Sequence, residues 1–306
     1  IEDYSYWKPL LNYEKFTVNS INITGDHITQ SEFNDLFNGL VGVDNTIEIR
    51  NTGLTTISLN KVTFIGLHLR IRNHTELITI SFNSLSTVGD YFAIWDNDKL
   101  TTISFNVLKS VGKHFHIYTN PKLTTISFNS LETIDDYLEI YINDDLTTIS
   151  FNSLETIGGR FMIRNNDKLT NVSFNVLKTI GDFFTIHDNN ELTTISFNIL
   201  ESVGLHFKIN NNDKLITISF NSLISVNLFF SVYNHLLLEN VSFNSLNKIL
   251  KALNIHDNVK LDQSIEKLKE YFPQINVCVE GTLNVKNNNH LDPNPTDLDS
   301  WFTAGC

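Results

Sequence analysis

Leu123-Thr124-Thr125-Ile126-Ser127-Phe128-Asn129-Ser130-Leu131 is the stretch that decides the fold, because the chain repeats it with a fixed period. Its opening leucine also stands at Leu54, Leu77, Leu100, Leu146, Leu169, Leu192, Leu215, Leu238 and Leu261, in steps of 23 residues. Each of these except Leu261 opens a close copy of the phrase. A period of this length is the signature of a solenoid, in which one repeat cannot bury its apolar face and the stack of repeats can.

Count each coil from its leucine as offset 0. Apolar residues then recur at +3 (Ile126, Ile149, Ile195), at +5 (Phe128, Phe151, Phe197), at +8 and at +11. They recur again at +15 (Phe or Leu) and at +17 (Ile or Val). The pairs +3/+5 and +15/+17 alternate with polar or variable neighbours, and a period of two predicts strand rather than helix. The Ile, Val, Thr and Phe content agrees. Glycine recurs at +12 (Gly66, Gly89, Gly112, Gly158, Gly181, Gly204), which predicts a corner of open backbone geometry. Asp135 and Asn227, residues tolerant of the left-handed region, stand there in two coils. Asparagine forms columns at +6 and at +20 (Asn97, Asn120, Asn143, Asn166, Asn189, Asn212, Asn258), expected to hydrogen-bond the backbone of adjacent coils.

The expected fold is all-β. It is a right-handed β-helix or leucine-rich-repeat-like solenoid of 23-residue coils, with short helical caps at both ends. The division is residues 1–46 as N-terminal cap, 47–261 as solenoid and 262–306 as C-terminal cap. Ser31-Glu32-Phe33-Asn34-Asp35-Leu36-Phe37 reads as a helix in the first cap. Ser264 to Phe272 reads as a helix in the second, stopped by Pro273.

Composition narrows the function. The 306 residues carry a net charge of −12, which argues against nucleic acid or an anionic membrane as main partner. No apolar run approaches the ~20 residues of a membrane span. No charged, apolar leader follows Ile1, so any signal peptide is expected to have been removed or never present. Cys278 and Cys306 suggest one disulfide closing the C-terminal cap, the alternative being two unpaired thiols. Such a bridge stabilises by roughly 3–4 kcal/mol in the chain-entropy model. Asn22, Asn73, Asn171 and Asn240 open Asn-x-Ser/Thr sequons and are candidate N-glycosylation sites. Sequons and cysteines together favour a secreted or cell-surface protein.

The phrase Leu-Thr-x-Ile-x-Phe-x-x-Leu-x-x-Ile-Gly-x-x-Phe-x-Ile-x-x-Asn, clear from Leu146 to Asn166 and from Leu169 to Asn189, resembles the receptor L domain. That domain forms the ligand-binding lobes of insulin- and EGF-type receptors and recurs in fungal cell-wall GPI proteins. The repeat is also similar to BspA-like leucine-rich repeats, without their Ala-Phe-x-x-Cys turn. The resemblance spans roughly Ile47 to Leu261. It implies a fold and offers no catalytic residues to carry over. L domains of receptors usually carry more cysteine than this chain.

Comparison among the copies points to one face. The +2 to +5 strand is nearly invariant, whereas the +14 to +18 strand varies outward. Offset +14 carries Tyr91, His114, Tyr137, Arg160 and Phe183, and +18 carries Trp95, Tyr118, Tyr141, Arg164 and His187. Aromatics and Arg are enriched at interfaces, so these ten residues form the candidate partner-binding face, with Trp95, Tyr118 and Tyr141 at its centre. The competing expectation is cross-strand stacking that merely shields the sheet. Six histidines on this face (His68, His114, His116, His187, His206, His256) lack a standard metal-ligand spacing, and no metal or cofactor is expected.

The opposite +2/+4 face is a Thr/Ser ladder (Thr125, Ser127 and their copies) like that of ice-binding solenoids, a minor alternative because the sequon residues Asn171 and Asn240 interrupt it. Gly-x-Ser-x-Gly, phosphate-loop and His-Glu-x-x-His motifs are missing, so no enzyme is expected. The expected function is recognition or adhesion at a cell surface, with a protein or glycan partner. The alternative is a structural protein that self-assembles into a coat, wall or filament.

Overall fold

The computed structural model describes residues 15–262, 265–274 and 282–286. It is all-β, built of stacked parallel coils, and its described helices are α1 (Gln30–Phe37) and α2 (Ile265–Tyr271). The chain divides into two compact units, Ile1–Leu154 and Glu155–Cys306. Cys278 and Cys306 lie outside the described residues, as does Ser264 of the expected second helix.

In the first unit each coil from Leu54 to Ile142 contributes three short strands. An aromatic sheet runs in the order Ile21–Thr24, Ile47–Arg50, Leu69–His74, Phe92–Asn97, Phe115–Tyr118 and Leu138–Tyr141. A short sheet runs Phe16–Val18, Leu40–Val43, Phe64–Ile65, Thr87–Val88, Ser110–Val111 and Thr133–Ile134. A hydroxyl sheet pairs Thr56–Ser58 with Thr79–Ser81 and Thr102–Ser104, and Thr125–Ser127 pairs with Thr148–Ser150. Every repeat pairs at its own offset, so Ile71 faces Ile94 and Ile94 faces Ile117. Strands of residues 16–43 already belong to the aromatic and short sheets, ahead of the first clean repeat.

This register turns each apolar offset into a continuous column. Phe82, Phe105, Phe128 and Phe151 stack ring on ring at 5.3–5.6 Å. Phe92 and Phe115 stack at 4.6 Å in a second column, and the two columns meet edge to face, as in Phe115–Phe128 at 4.8 Å. All of these rings are essentially inaccessible to solvent. A buried phenylalanine of this kind is worth about 3–5 kcal/mol against alanine.

Helix α1 starts at a capping box, in which the Thr29 hydroxyl accepts from the Glu32 N–H and the Glu32 carboxylate accepts from Thr29. Its buried Phe33 and Leu36 join the core. Its Gln30 side chain accepts from the Thr55 and Thr56 N–H groups and donates to the Thr56 carbonyl at 2.9–3.1 Å. One amide thus takes the place of a neighbouring strand at the free edge of the hydroxyl sheet, and a paired edge is a poor template for aggregation.

The second unit repeats the plan. Its aromatic sheet runs Phe161–Arg164, Phe183–His187, His206–Asn210, Phe229–His235, Ala252–Asn258 and Thr282–Lys286. Phe161, Phe184, Phe207 and Phe230 form one stacked column. Phe174, Phe197, Phe220 and Phe243 form the other. Phe272, directly after α2, extends the second column by stacking on Phe243 at 5.3 Å. The Tyr271 carbonyl also accepts from the Phe243 N–H at 2.9 Å, so the end of α2 covers the column.

The +12 corner differs from expectation. None of the +12 glycines has a positive φ. A Cβ on Gly89 would lie 1.9 Å from the Gly66 carbonyl oxygen, and one on Gly204 would lie 1.6 Å from that of Gly181. Close approach of stacked backbones, not left-handed geometry, excludes a side chain there. Asp135 and Asn227 keep a Cβ at this offset, and nothing in the structure explains them. The left-handed residues sit at +19 instead: Asn73, Asp96, Thr119, Ile142, Asn165, Asp188, Asn211, Asn234 and Asp257 all have φ of 51–59°.

Candidate functional site

The backbone behind the candidate face is held by the +20 asparagine column. Asn120 Nδ2 donates to the Ile94 carbonyl at 3.1 Å and to the Tyr118 carbonyl at 3.0 Å. Its N–H donates to Asn143 Oδ1 at 3.1 Å. Asn143 repeats the pattern on the Ile117 and Tyr141 carbonyls. These amides are fully buried, so each satisfies backbone groups that would otherwise cost about 1–3 kcal/mol apiece. They fix the carbonyl of each +18 residue, and with it the place from which Tyr118 and Tyr141 project.

Histidine fills this column at +20 in two coils, His74 in the first unit and His235 in the second, both fully buried. Nδ1 of His235 accepts from the Asn212 N–H at 3.3 Å, and Nε2 lies 3.3 Å from the Ile209 carbonyl. His74 treats the Thr52 N–H and the Ile49 carbonyl in the same way. The neutral ring substitutes for an amide, Nδ1 for Oδ1 and Nε2–H for Nδ2–H. Burial pulls the His235 pKa down to about 4 and lowers that of His74. Sequence reading passed over both residues, although counting +20 from Leu54 and Leu215 reaches them.

In the first unit the outward side chains form two ladders. At +14, Tyr91 and His114 lie 4.4 Å apart between ring centres, and His114 and Tyr137 4.7 Å. At +18, Arg72 caps the Trp95 ring at 5.3 Å, Trp95 stacks on Tyr118 at 5.7 Å, and Tyr118 stacks on Tyr141 at 4.6 Å. Arg72 is held in turn by Glu48, with Nη2–Oε1 at 2.8 Å. These aromatics are half-buried rather than freely exposed, because each ring covers the face of the next coil's ring. Burial pushes the Tyr118 hydroxyl up to about 12, with Tyr141 adding to the effect, so it stays a neutral hydrogen-bonding group.

Each residue of this ladder is followed by a left-handed one, and after Tyr118 and Tyr141 these are Thr119 (φ 53°) and Ile142 (φ 54°). Both are β-branched, for which this region is a genuine outlier. Ile142 is also 40% exposed, so an apolar side chain stands in solvent on a strained backbone beside the aromatic centre. Strain of this kind collects at functional positions. The flanking +19 residues that are Asn or Asp show the cheaper choice.

In the second unit Arg160 lies over the Phe183 ring at 5.4 Å, and Phe183 stacks on His206 at 4.8 Å. Arg164 donates to Asn165 Oδ1 at 3.1 Å, and His187 Nδ1 contacts Asp188 Oδ2 at 2.5 Å. The structure therefore groups Tyr91, Trp95, His114, Tyr118, Tyr137 and Tyr141 on the face of one unit, and Arg160, Arg164, Phe183 and His187 on the face of the other. Among the described residues no group of three or more His, Cys, Asp or Glu side chains is arranged to hold a metal ion.

The four sequon asparagines are all exposed: Asn22 on the aromatic sheet, Asn73 at a left-handed turn, and Asn171 and Asn240 at the start of hydroxyl-sheet strands. On the hydroxyl sheet, Ser81 Oγ donates to Asn60 Oδ1 at 2.6 Å while accepting from Asn83 Nδ2 at 3.0 Å. These serine hydroxyls are spent on neighbouring coils.

Residues 124–205 match the family model of the Receptor L domain. That match and the stacked coils fit the resemblance carried by the repeat. Receptor L domains are typically extracellular, and they and solenoids of this kind are typically non-catalytic binding folds, a class that points to ligand binding of receptor type. No curated protein and no solved structure matches the chain. Among the described residues no helix is long and apolar enough to cross a membrane.

Proposed function

We propose that the chain is an extracellular or cell-surface recognition and adhesion protein whose aromatic sheet contacts a protein partner. One observation carries the reading. The Trp95–Tyr118–Tyr141 ladder is a run of outward rings stacked face to face, and it contributes nothing to the phenylalanine columns inside. Rings that cover one another's faces offer edges and hydroxyls in a fixed array. Little side-chain entropy is left to lose on binding, which favours affinity. The same geometry disfavours a sugar ring as the main contact, because stacking on sugars needs open ring faces. The exposed sequons suit a secreted chain, and N-glycans at Asn171 and Asn240 would project from the hydroxyl sheet, leaving the aromatic sheet clear.

The test is the triple variant Trp95→Ala, Tyr118→Ala, Tyr141→Ala, displayed beside the native chain to intact cells of the source organism. Cell-surface binding should fall about tenfold or more, the scale of lost aromatic anchors at an interface. Thermal unfolding should shift far less than for a phenylalanine of the core. Undiminished binding would sink the proposal.

A further inference from the structure

A crevice of about 410 Å³ opens in the first unit between helix α1 and Thr56–Ser58, the edge strand of a hydroxyl sheet. That volume lies in the range of small-molecule sites, roughly 300–1,000 Å³. Gln30, Asn34, Phe37 and Asn38 line it from α1, at the i, i+4, i+7 and i+8 spacing that puts them on one helix face. Ser58, Asn60 and Lys61 line it from the sheet side, and the lining holds no carboxylate.

The edge strand shows what chemistry fits there. Residues of a strand turn their N–H and C=O alternately to one neighbour and to the other. Thr55 and Leu59 face the next coil: the Thr55 carbonyl accepts from the Ile78 N–H at 2.9 Å, and the Leu59 N–H donates to the Ser81 carbonyl at 2.9 Å. Thr56 faces the other way, and the Gln30 carboxamide meets its N–H and C=O at 3.0 and 2.9 Å. Ser58, two residues on, turns the same donor and acceptor pair to the same side, into the crevice. The preceding position of this edge is thus already filled by a carboxamide. Around the crevice, Asn34 Oδ1 accepts from Gln30 Nε2 at 3.0 Å and Asn38 Oδ1 accepts from Lys61 Nζ at 3.3 Å. With those oxygens engaged, the rim offers amide and ammonium donors.

We propose that this crevice binds an N-acetylated amino sugar. Its acetamido group would pair with the Ser58 N–H and C=O, as the Gln30 carboxamide pairs with Thr56. Its methyl group would rest against the half-buried Phe37 ring, and its hydroxyl oxygens would accept from Asn34, Asn38 and Lys61. A peptide strand fits less well, because strand addition pairs along a run of free positions. Here Gln30 closes Thr56, and the strand ends at Ser58 before a turn at Asn60 and Lys61, so a single position stays open. One amide surrounded by hydroxyl oxygens is what an acetamido sugar supplies. The site shares no residue with the aromatic sheet and stands independently of the partner assigned to that sheet.

The experiment is titration calorimetry of the full chain with three probes: N,N′-diacetylchitobiose, cellobiose and a blocked dialanine peptide. Cellobiose has the same ring skeleton without acetamido groups. Diacetylchitobiose should bind with a Kd of about 1 mM or below, within reach of a shallow small-molecule site. Cellobiose should bind at least about tenfold more weakly, because it leaves the Ser58 pair unmet. The double variant Asn34→Ala, Asn38→Ala should weaken binding about tenfold at an unchanged unfolding temperature, since both side chains are exposed. Ser58→Pro removes the N–H donor at an edge position of the kind that tolerates proline, and should abolish binding. No binding of diacetylchitobiose, equal binding of the two disaccharides, undiminished binding by the Asn34/Asn38 variant, or tighter binding of the peptide would each overturn the proposal, the last in favour of a peptide ligand. The Trp95/Tyr118/Tyr141 variant should bind the sugar as the native chain does, so this site and the aromatic face fail separately.

Discussion

At the scale of the residue, His235 is the clearest case of chemistry set by position. Its Nδ1 is committed as an acceptor from the Asn212 N–H. Protonation puts a charge into a desolvated site, a cost that the Asn212 and Ile209 carbonyls and the more distant Asp213 offset only in part. The folded-state pKa is about 4, below the ordinary value of 6.5. Between these values the unfolded chain binds more protons than the folded one, so stability rises with pH. The histidine's contribution is complete above pH 6.5 and is lost as pH falls toward 4, by about 3 kcal/mol at roughly 1.4 kcal/mol per unit. Urea unfolding from pH 7.5 to 4 should show this loss, and His235→Asn, which restores the column's usual amide, should flatten it. An identical pH profile in both proteins would show that other groups govern acid stability. None of this was visible in the repeat read as apolar columns, because the +20 offset was defined by its asparagines. A histidine reads as an amide surrogate only once both ring nitrogens have been located.

At the scale of the element, the repeat was highly legible and its corners less so. Strand positions follow from alternation alone, and Ile126, Phe128, Phe115 and Ile117 are buried where that alternation places them. Helix α1 starts one residue before the stretch read for it, and its cap is Thr29. The capping pair Thr29–Glu32 is itself written in the sequence. The +12 glycines were read as conformational and are steric. Sequence says that a side chain is not wanted, and only the stacked backbones say whether dihedral or distance forbids it. The two causes predict different mutants. Gly89→Ala brings a Cβ against an immovable carbonyl and should cost at least about 3 kcal/mol, the upper range of overpacking. Gly53→Ala meets only the Asp26 carboxylate, at 3.4 Å, and should be close to neutral. Thermal unfolding of the two variants decides between the causes; a mild effect at Gly89 would mean that the coils can separate to admit a methyl group.

At the scale of the whole molecule, the question is whether the chain acts as discrete particles or as subunits of a larger assembly. The site residues were legible as a face because the copies differ there and agree elsewhere, but a varied face suits a partner and a subunit contact equally. Charge and apolar exposure bear on the choice. The net charge of −12 opposes close packing of copies through general repulsion. The exposed large apolar residues Leu67, Ile78, Val107 and Ile142 fall at four different offsets in one unit, and of Ile216, Ile224, Leu236 and Val259 in the other only Leu236 and Val259 share an offset, so they form a two-residue patch rather than a long column. The hydroxyl sheet, another candidate for lateral contact, has serines bonded to neighbouring coils and sequons at Asn171 and Asn240. An assembly through the aromatic sheets would bring arginine faces together at the cost of like-charge repulsion. Light scattering of the native chain should therefore report a small particle of constant mass as salt is raised from about 50 to 200 mM, a range that shortens screening from about 14 to 7 Å. Long assemblies that grow as salt screens the repulsion would reverse the argument, making the aromatic sheet a contact between copies and the −12 charge a brake on polymer growth.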